Sequence, residues 1–327
     1  MRRCRTTREP RTSRVAFTVL ELLAAVGVIA LLLSLFLPAV QSARSSAGRI
    51  QCADRLRQLA LAAQNFHSAH GRFPGHHARN QRYVPEFVPH LEWGGGQVPQ
   101  PGDFVVTGGV KAPDVPAGAA VWLCPSDPMA ELAHGHQSFM MSAGLGHARP
   151  RSGFLGYVHD RASAAPDVTD GLSQTAMLSE RLVGVFDTPI TSRPPPRRYG
   201  ELRTVWYASQ DHPPTEAGAD ALMTDCRSPK TDDLPPYASK RFGWGDFRGY
   251  NHLFTPNLPA CYAGPPPTGP YTLGPEEDGA AVPPSSLHAG GVNVAFGDGR
   301  VSFTADGIDV TAWRAAGTIS AGELAPW

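Results

Sequence analysis

The sequence predicts an α+β fold in which a long N-terminal helix packs on an antiparallel β-sheet, within a loop-rich outer domain. Three observations carry this. Residues 17–40 form an almost uninterrupted apolar run. Apolar residues at helical spacing continue it to about residue 70. Near the C-terminus, Gly291-Val292-Asn293-Val294-Ala295-Phe296 and Arg300-Val301-Ser302-Phe303 alternate on either side of Gly297-Asp298-Gly299, the pattern of a β-hairpin over 291–303. Of 327 residues only 18% are charged, with 34 Gly and 32 Pro, a composition that suits a loop-rich domain outside the cytoplasm better than a helical cytosolic one.

The apolar run of residues 17–40 is long enough to cross a bilayer core, which takes about 20 apolar residues in a helix. Its one charge is Glu21. A carboxylate in such a segment is costly unless paired, so it requires a role. Residues 1–16 contain six Arg and one Glu. That basic segment marks the cytoplasmic side, placing residues 71–327 across the membrane as an extracytoplasmic domain. Without it, 23 basic residues face 28 acidic ones, and this mild acidity argues against a general nucleic-acid surface.

From residue 41 to 70 the helix is expected to continue as an amphipathic stalk. Its stripe is Ala43, Ala47, Ile50, Leu56, Leu59, Ala60, Ala63 and Phe66, thinning at Ser45–Gly48, and Gly71 and Pro74 end it. A continuous rod from Phe17 would be roughly 80 Å long. Val121-Trp122-Leu123-Cys124 reads as an apolar strand ending in a turn at Pro125–Pro128. Asp170-Gly171 reads as a turn leading into a buried strand that reaches Glu180. The proline-rich segments 193–197 and 264–270 are too stiff for strands and read as connectors. Thr311–Ala316 reads as a short helix carrying Trp313.

Cys4 lies in the basic segment. Cys52, Cys124, Cys226 and Cys261 remain in an oxidising compartment, which allows two disulfides in three pairings. No C-x-x-C spacing marks a zinc ribbon or a thioredoxin-like site, and no metal ligand set is assigned. The acidic run Glu276-Glu277-Asp278-Gly279 is the candidate for calcium but lacks the alternating ligands of an EF-hand loop. His134 with His136, and His76 with His77, read as loop residues. His288, Asp298 and Ser286 invite a hydrolase reading. However, His288 and Asp298 stand up to about 30 Å apart along an extended strand, so a turn and a loop cap explain them better than a catalytic dyad. No Walker, Rossmann, nucleophile-elbow or zincin motif is present, and no enzymatic activity is expected.

Phe17, Thr18, Leu20, Glu21 and the run behind them resemble the class III signal of type IV prepilins and type II secretion pseudopilins. The resemblance implies that a prepilin peptidase cuts between Ala16 and Phe17 and that the new amine is methylated. Where that family usually has Gly before the cut, this chain has Ala16. It further implies that Glu21 pairs with the terminal amine of a neighbouring pilin-like subunit. The protein would sit in the inner membrane with a single pass, its N-terminus cytoplasmic and its C-terminal domain periplasmic or extracellular.

Further motifs resemble a bacterial family with a prepilin-like start and a domain of unknown function, number 1559, ending in a His-x9-Asp-Gly motif. Here those residues are His288, Asp298 and Gly299. The others are Leu123–Pro128; Asp170–Thr175 with Glu180; Tyr250-Asn251-His252 with Pro256, Asn257 and Cys261; and the helix end from Gln58 to Pro74. The expected function is structural: a pseudopilin-like component of a type II secretion or type IV pilus-like assembly, with the lipid bilayer, the peptidase and other pilin-like subunits as partners. The alternative is an anchored carbohydrate- or solute-binding domain that borrows the export signal, using Trp206, Tyr207, Trp244, Tyr250 and Asn251 as contacts.

Overall fold

The computed structural model describes residues 18–75, 87–91, 121–128, 137–146, 152–155, 163–182, 204–208, 212–213, 215–227, 237–238, 249–262 and 280–322. The chain divides into two compact units, Met1–Ala47 and Gly48–Trp327. Helix α1 runs unbroken as Val19–His70 through Pro38, with no break at Ser45–Gly48. Gly71, at φ +70°, ends it, in the left-handed conformation typical of a helix C-terminus.

In the second unit α1 buries Cys52, Leu56, Leu59, Ala60, Ala63 and Phe66, residues spaced three and four apart. The predicted stripe holds from Leu56 onward but not at Ile50, which is 59% exposed. At about 100° per residue Ile50 lies well off the Leu56 face, and Cys52 takes its place.

This face covers a five-stranded sheet. The strands are β1 (Phe139–Ser142), β2 (Ala176–Glu180), β5 (Gly249–Tyr250), β8 (Gly291–Phe296) and β9 (Val301–Ala305), in the order β5-β1-β2-β8-β9. Pairs β1/β2, β2/β8 and β8/β9 are antiparallel, whereas β1/β5 is parallel. The sheet is therefore mixed rather than wholly antiparallel. Registers Phe139↔Glu180 and Leu178↔Ala295 put Phe139, Met141, Leu178, Glu180, Asn293 and Ala295 on the face toward α1. The opposite face buries Met140, Val292, Val294 and Phe296 against Tyr250 and Trp313. Both faces being covered, β2 and β8 are buried at every position.

The hairpin β8/β9 pairs Gly291 with Ala305 through to Ala295 with Val301, two residues beyond the predicted end. Gly299, at φ +88°, makes its turn. Helix α3 (Val310–Gly317) covers the sheet with Trp313 and is capped by Asp309, whose Oδ1 accepts from the amides of Thr311 and Ala312.

The expected strand at Val121–Cys124 is instead a short 3-10 turn. Trp122 is buried edge-on to Phe87, and the Asp127 amide closes a turn on the Cys124 carbonyl. Local hydrogen bonding and the burial of one indole override the apolar run. A second sheet, absent from the sequence reading, has the order β4-β3-β6-β7. It comprises β3 (Thr204–Tyr207), β4 (Tyr237–Ala238), β6 (Ala260–Tyr262) and β7 (Ala280–Ala281). Helix α2 (Glu216–Arg227) is joined to β6 by the Cys226–Cys261 disulfide, with Cα atoms 6.3 Å apart. The connectors 193–197 and 264–270 lie outside the described residues.

Asp170 ties the end of the fold down. Its carboxylate accepts from the Ala321 and Gly322 amides, both at 2.8 Å, and from the Thr318 hydroxyl at 3.0 Å. Asp170→Ala leaves these donors without their anion and should destabilise by about 2–3 kcal/mol. The expected result is a lower thermal midpoint and faster amide exchange at Ala321 and Gly322. Unchanged exchange there would refute the anchoring role.

Candidate functional site

In the first unit, every large apolar side chain from Val19 to Val40 is exposed. Beyond this stretch the exposed large apolar residues among the described ones are only Ile50, Leu61 and Leu287. The helix is long and apolar enough to cross a membrane. At its start Thr18 and Glu21 form a capping box. The Thr18 amide and hydroxyl donate to Glu21 Oε2 at 3.0 and 2.9 Å, and the Glu21 amide donates to Thr18 Oγ1 at 3.3 Å. Thr18-Val-Leu-Glu21 carries the Ser/Thr-x-x-Glu signature that would have disclosed this. Ala16 and Phe17 lie outside the described residues.

In the second unit four segments converge on one buried cluster. Cys52 comes from α1, Cys124 from the turn at 121–128, Glu180 from the end of β2, and His288 from the loop before β8. Cys52 and Cys124 form a disulfide with Cα atoms 5.1 Å apart. His288 Nε2 lies 3.8 Å from Cys124 Sγ and 3.2 Å from Glu180 Oε1. The side chains of His288 and Glu180 are 3% and 2% exposed. The ligand atoms of all four residues lie within 4.8 Å of one another.

Neighbouring groups hold this arrangement. Glu180 Oε2 accepts from the Asn293 amide at 2.8 Å, and Oε1 accepts from Asn293 Nδ2 at 2.8 Å. Asn293 follows the start of β8 on the face shared with Glu180, so register alone brings them together. The Ser286 hydroxyl accepts from the His288 amide and donates to the Gly291 carbonyl, fixing the loop. Arg55, one turn beyond Cys52, donates to the Leu123 carbonyl at 2.5 Å, and burial pushes its guanidinium below the usual arginine range. Arg181, next to Glu180, is pushed down to about 9 by burial.

The His-x9-Asp-Gly motif is thereby divided. His288 and Asp298 stand at opposite ends of β8, whose six residues span about 20 Å. Asp298 is exposed, and its Oδ1 accepts from the Arg300 amide inside the hairpin turn. The acid that His288 meets is Glu180. Sequence reasoning placed both in motifs but had no signal linking positions 108 apart.

The remaining motif residues are structural. Tyr250 and Asn251 are fully buried, and the Asn251 side chain accepts from the Val282 amide, so neither is a surface contact for a glycan. Asn257, left-handed at φ 58°, accepts from the Ser286 amide and donates to Asp306. Trp244, the His76–His77 and His134–His136 pairs, and Glu276–Asp278, the calcium candidate, lie outside the described residues. The side chains of Trp206 and Tyr207 do too, as does Cys4.

A family model described as "Protein of unknown function (DUF1559)" matches residues 41–311. No curated protein and no solved structure matches the chain.

Proposed function

The chain belongs to this family of proteins of unknown function, DUF1559, and on that premise we propose that it is a membrane-anchored, pseudopilin-like structural subunit. A prepilin peptidase cuts after Ala16 and methylates Phe17. The protein then joins other pilin-like subunits of a type II secretion or type IV pilus-like assembly.

The observation that carries this reading is the fully exposed apolar stretch from Val19 to Val40 with a single carboxylate at Glu21. Covering that surface is worth on the order of 20 kcal/mol, and a bilayer or a bundle of like helices can cover it. The lone chain meets the need of Glu21 by capping its own helix through Thr18. In an assembly the terminal ammonium of a second subunit competes for the same carboxylate, and a charge-assisted pair is the stronger bond.

The test is the mature N-terminus by mass spectrometry. N-methyl-Phe17 is the expected result, and a start at Arg44 would overturn the reading in favour of an ordinary signal peptide. Glu21→Ala should leave membrane insertion intact and abolish cross-linking to partner subunits. Undiminished cross-linking would reduce the helix to a plain anchor.

A further inference from the structure

The geometry points to a thiol-dependent metal site at Cys52, Cys124, Glu180 and His288. In the dithiol form these four residues bind one thiophilic divalent cation of the Zn2+ class, and the Cys52–Cys124 disulfide is the metal-free form of the same site. The inference is independent of whether the protein assembles into a filament.

The set offers four donors of the types zinc takes, two sulfurs, one imidazole and one carboxylate, the number that fills a tetrahedral site. With ordinary zinc bond lengths the atoms of such a tetrahedron stand about 3.4–3.8 Å apart. Here His288 Nε2 is 3.8 Å from Cys124 Sγ and 3.2 Å from Glu180 Oε1. The first edge falls within that range and the second about 0.2 Å below it. The remaining ligand atoms lie within 4.8 Å of one another, and the sulfurs must separate from a covalent bond to about 3.8 Å, a displacement of the order that χ1 rotation of a cysteine supplies.

A disulfide by itself requires neither an imidazole nor a carboxylate beside it. Burying both is costly, a cost offset in the disulfide form by the His288–Glu180 contact and the two Asn293 bonds. The Cys226–Cys261 bond shows the contrast, since it packs among Leu145, Ala219, Leu222, Leu253 and Phe254. Among the described residues it belongs to no group of metal-ligating side chains. The outer contacts also suit a metal. Asn293 grips both oxygens of Glu180, the kind of bond that orients a ligating carboxylate. The four ligands come from four separate segments, so a bound ion would hold α1, the 121–128 turn, β2 and the β8 loop together.

A dithiol delivers two electrons and two protons to the disulfide and is itself oxidised to a disulfide; a phosphine delivers only the two electrons and becomes a phosphine oxide, with one water supplying the oxide oxygen and the two thiol protons. Binding of the divalent ion then releases the two thiol protons to solvent. His288 ligates through Nε2 as the neutral imidazole, the proton that Nε2 donates to Glu180 in the disulfide form moving to Nδ1.

The experiment uses the full chain in detergent micelles, with Zn2+ as the probe. One sample is reduced with a phosphine under argon and one is left oxidised. Both are given zinc and freed of unbound metal. The reduced protein should retain about one Zn2+ per chain, and X-ray absorption should report two sulfur and two nitrogen or oxygen ligands. The oxidised protein should retain none. The Cys226→Ser/Cys261→Ser variant should behave like the parent, and Cys52→Ser/Cys124→Ser should lose the metal. Equal retention by oxidised protein, a sulfur-free ligand shell, or loss of zinc with the Cys226/Cys261 pair would overturn the assignment. If reduction unfolds the protein, zinc should restore the fold, and failure to do so overturns it equally.

Discussion

Glu180→Ala should lower the stability of the disulfide-bonded protein by about 3–5 kcal/mol. The carboxylate is buried at the end of β2 and accepts from Asn293 twice and from His288 once. Truncation removes both acceptor oxygens, and with them all three hydrogen bonds. It leaves the Asn293 amide and side chain, both in the interior, without their anion, and opens a cavity under α1. Glu180→Gln keeps the volume and one acceptor oxygen, and so should recover part of the loss. The measurement is the unfolding midpoint in denaturant, followed by near-ultraviolet circular dichroism on oxidised protein, where metal plays no part. A midpoint for Glu180→Ala equal to that of the parent would mean that Glu180 does not organise the cluster.

The same residue shows how far the sequence could be read. The run to Glu180 reads as a buried strand, and that is its conformation, because apolar density and the Asp170-Gly171 turn are local signals. The 291–305 hairpin was legible for the same reason, with the alternation and the turn lying within fifteen residues. Helix α1 was legible as well, although the stripe was misassigned at Ile50: counting about 100° per residue back from Leu56 puts Cys52 on the buried face instead. What stayed hidden was the meeting of Cys52 with Cys124, 72 positions on, and of Glu180 with His288, 108 positions on. Such contacts depend on strand order and register, and no spacing rule encodes them. With the two sheets undivided in the sequence, the three cysteine pairings were equivalent. Only the packing of α1 over β2 selects Cys52 for Cys124 and leaves Cys226 to Cys261. The second sheet was missed because its strands are two to four residues long, too short to show a period.

Acid should destabilise the second unit through His252. This imidazole is fully buried, with its ring 4.0 Å from that of Trp313 and Gly317 closing the pocket. A Cβ on Gly317 would come within 2.5 Å of the ring. Nδ1 donates to the Trp313 carbonyl at 2.9 Å, and Nε2 accepts from the Tyr250 hydroxyl at 3.3 Å. Both nitrogens are thus satisfied with the ring neutral, and a second ring proton would meet a donor already in place. Burial pushes the pKa from 6.5 down to about 3, against the smaller opposing effect of the Trp313 carbonyl. The unfolded chain takes up this proton near its ordinary value of 6.5, whereas the folded chain takes it up only near 3. Between those values the unfolded state holds more protons. The contribution to stability is therefore fully present above 6.5 and lost progressively as pH falls toward 3, amounting at the acid end to on the order of 5 kcal/mol. Carboxylates titrate in the same range, so the informative quantity is the difference between the parent and His252→Gln, whose amide can still donate to the Trp313 carbonyl. The variant should be the less stable of the two at neutral pH, where it has lost the stacking on Trp313. Its deficit should shrink on acidification to about pH 4 and reverse below it, because it has no ring to protonate. Stability curves that ran parallel from neutral pH to about 4 would show that the His252 proton is not what couples this core to acid.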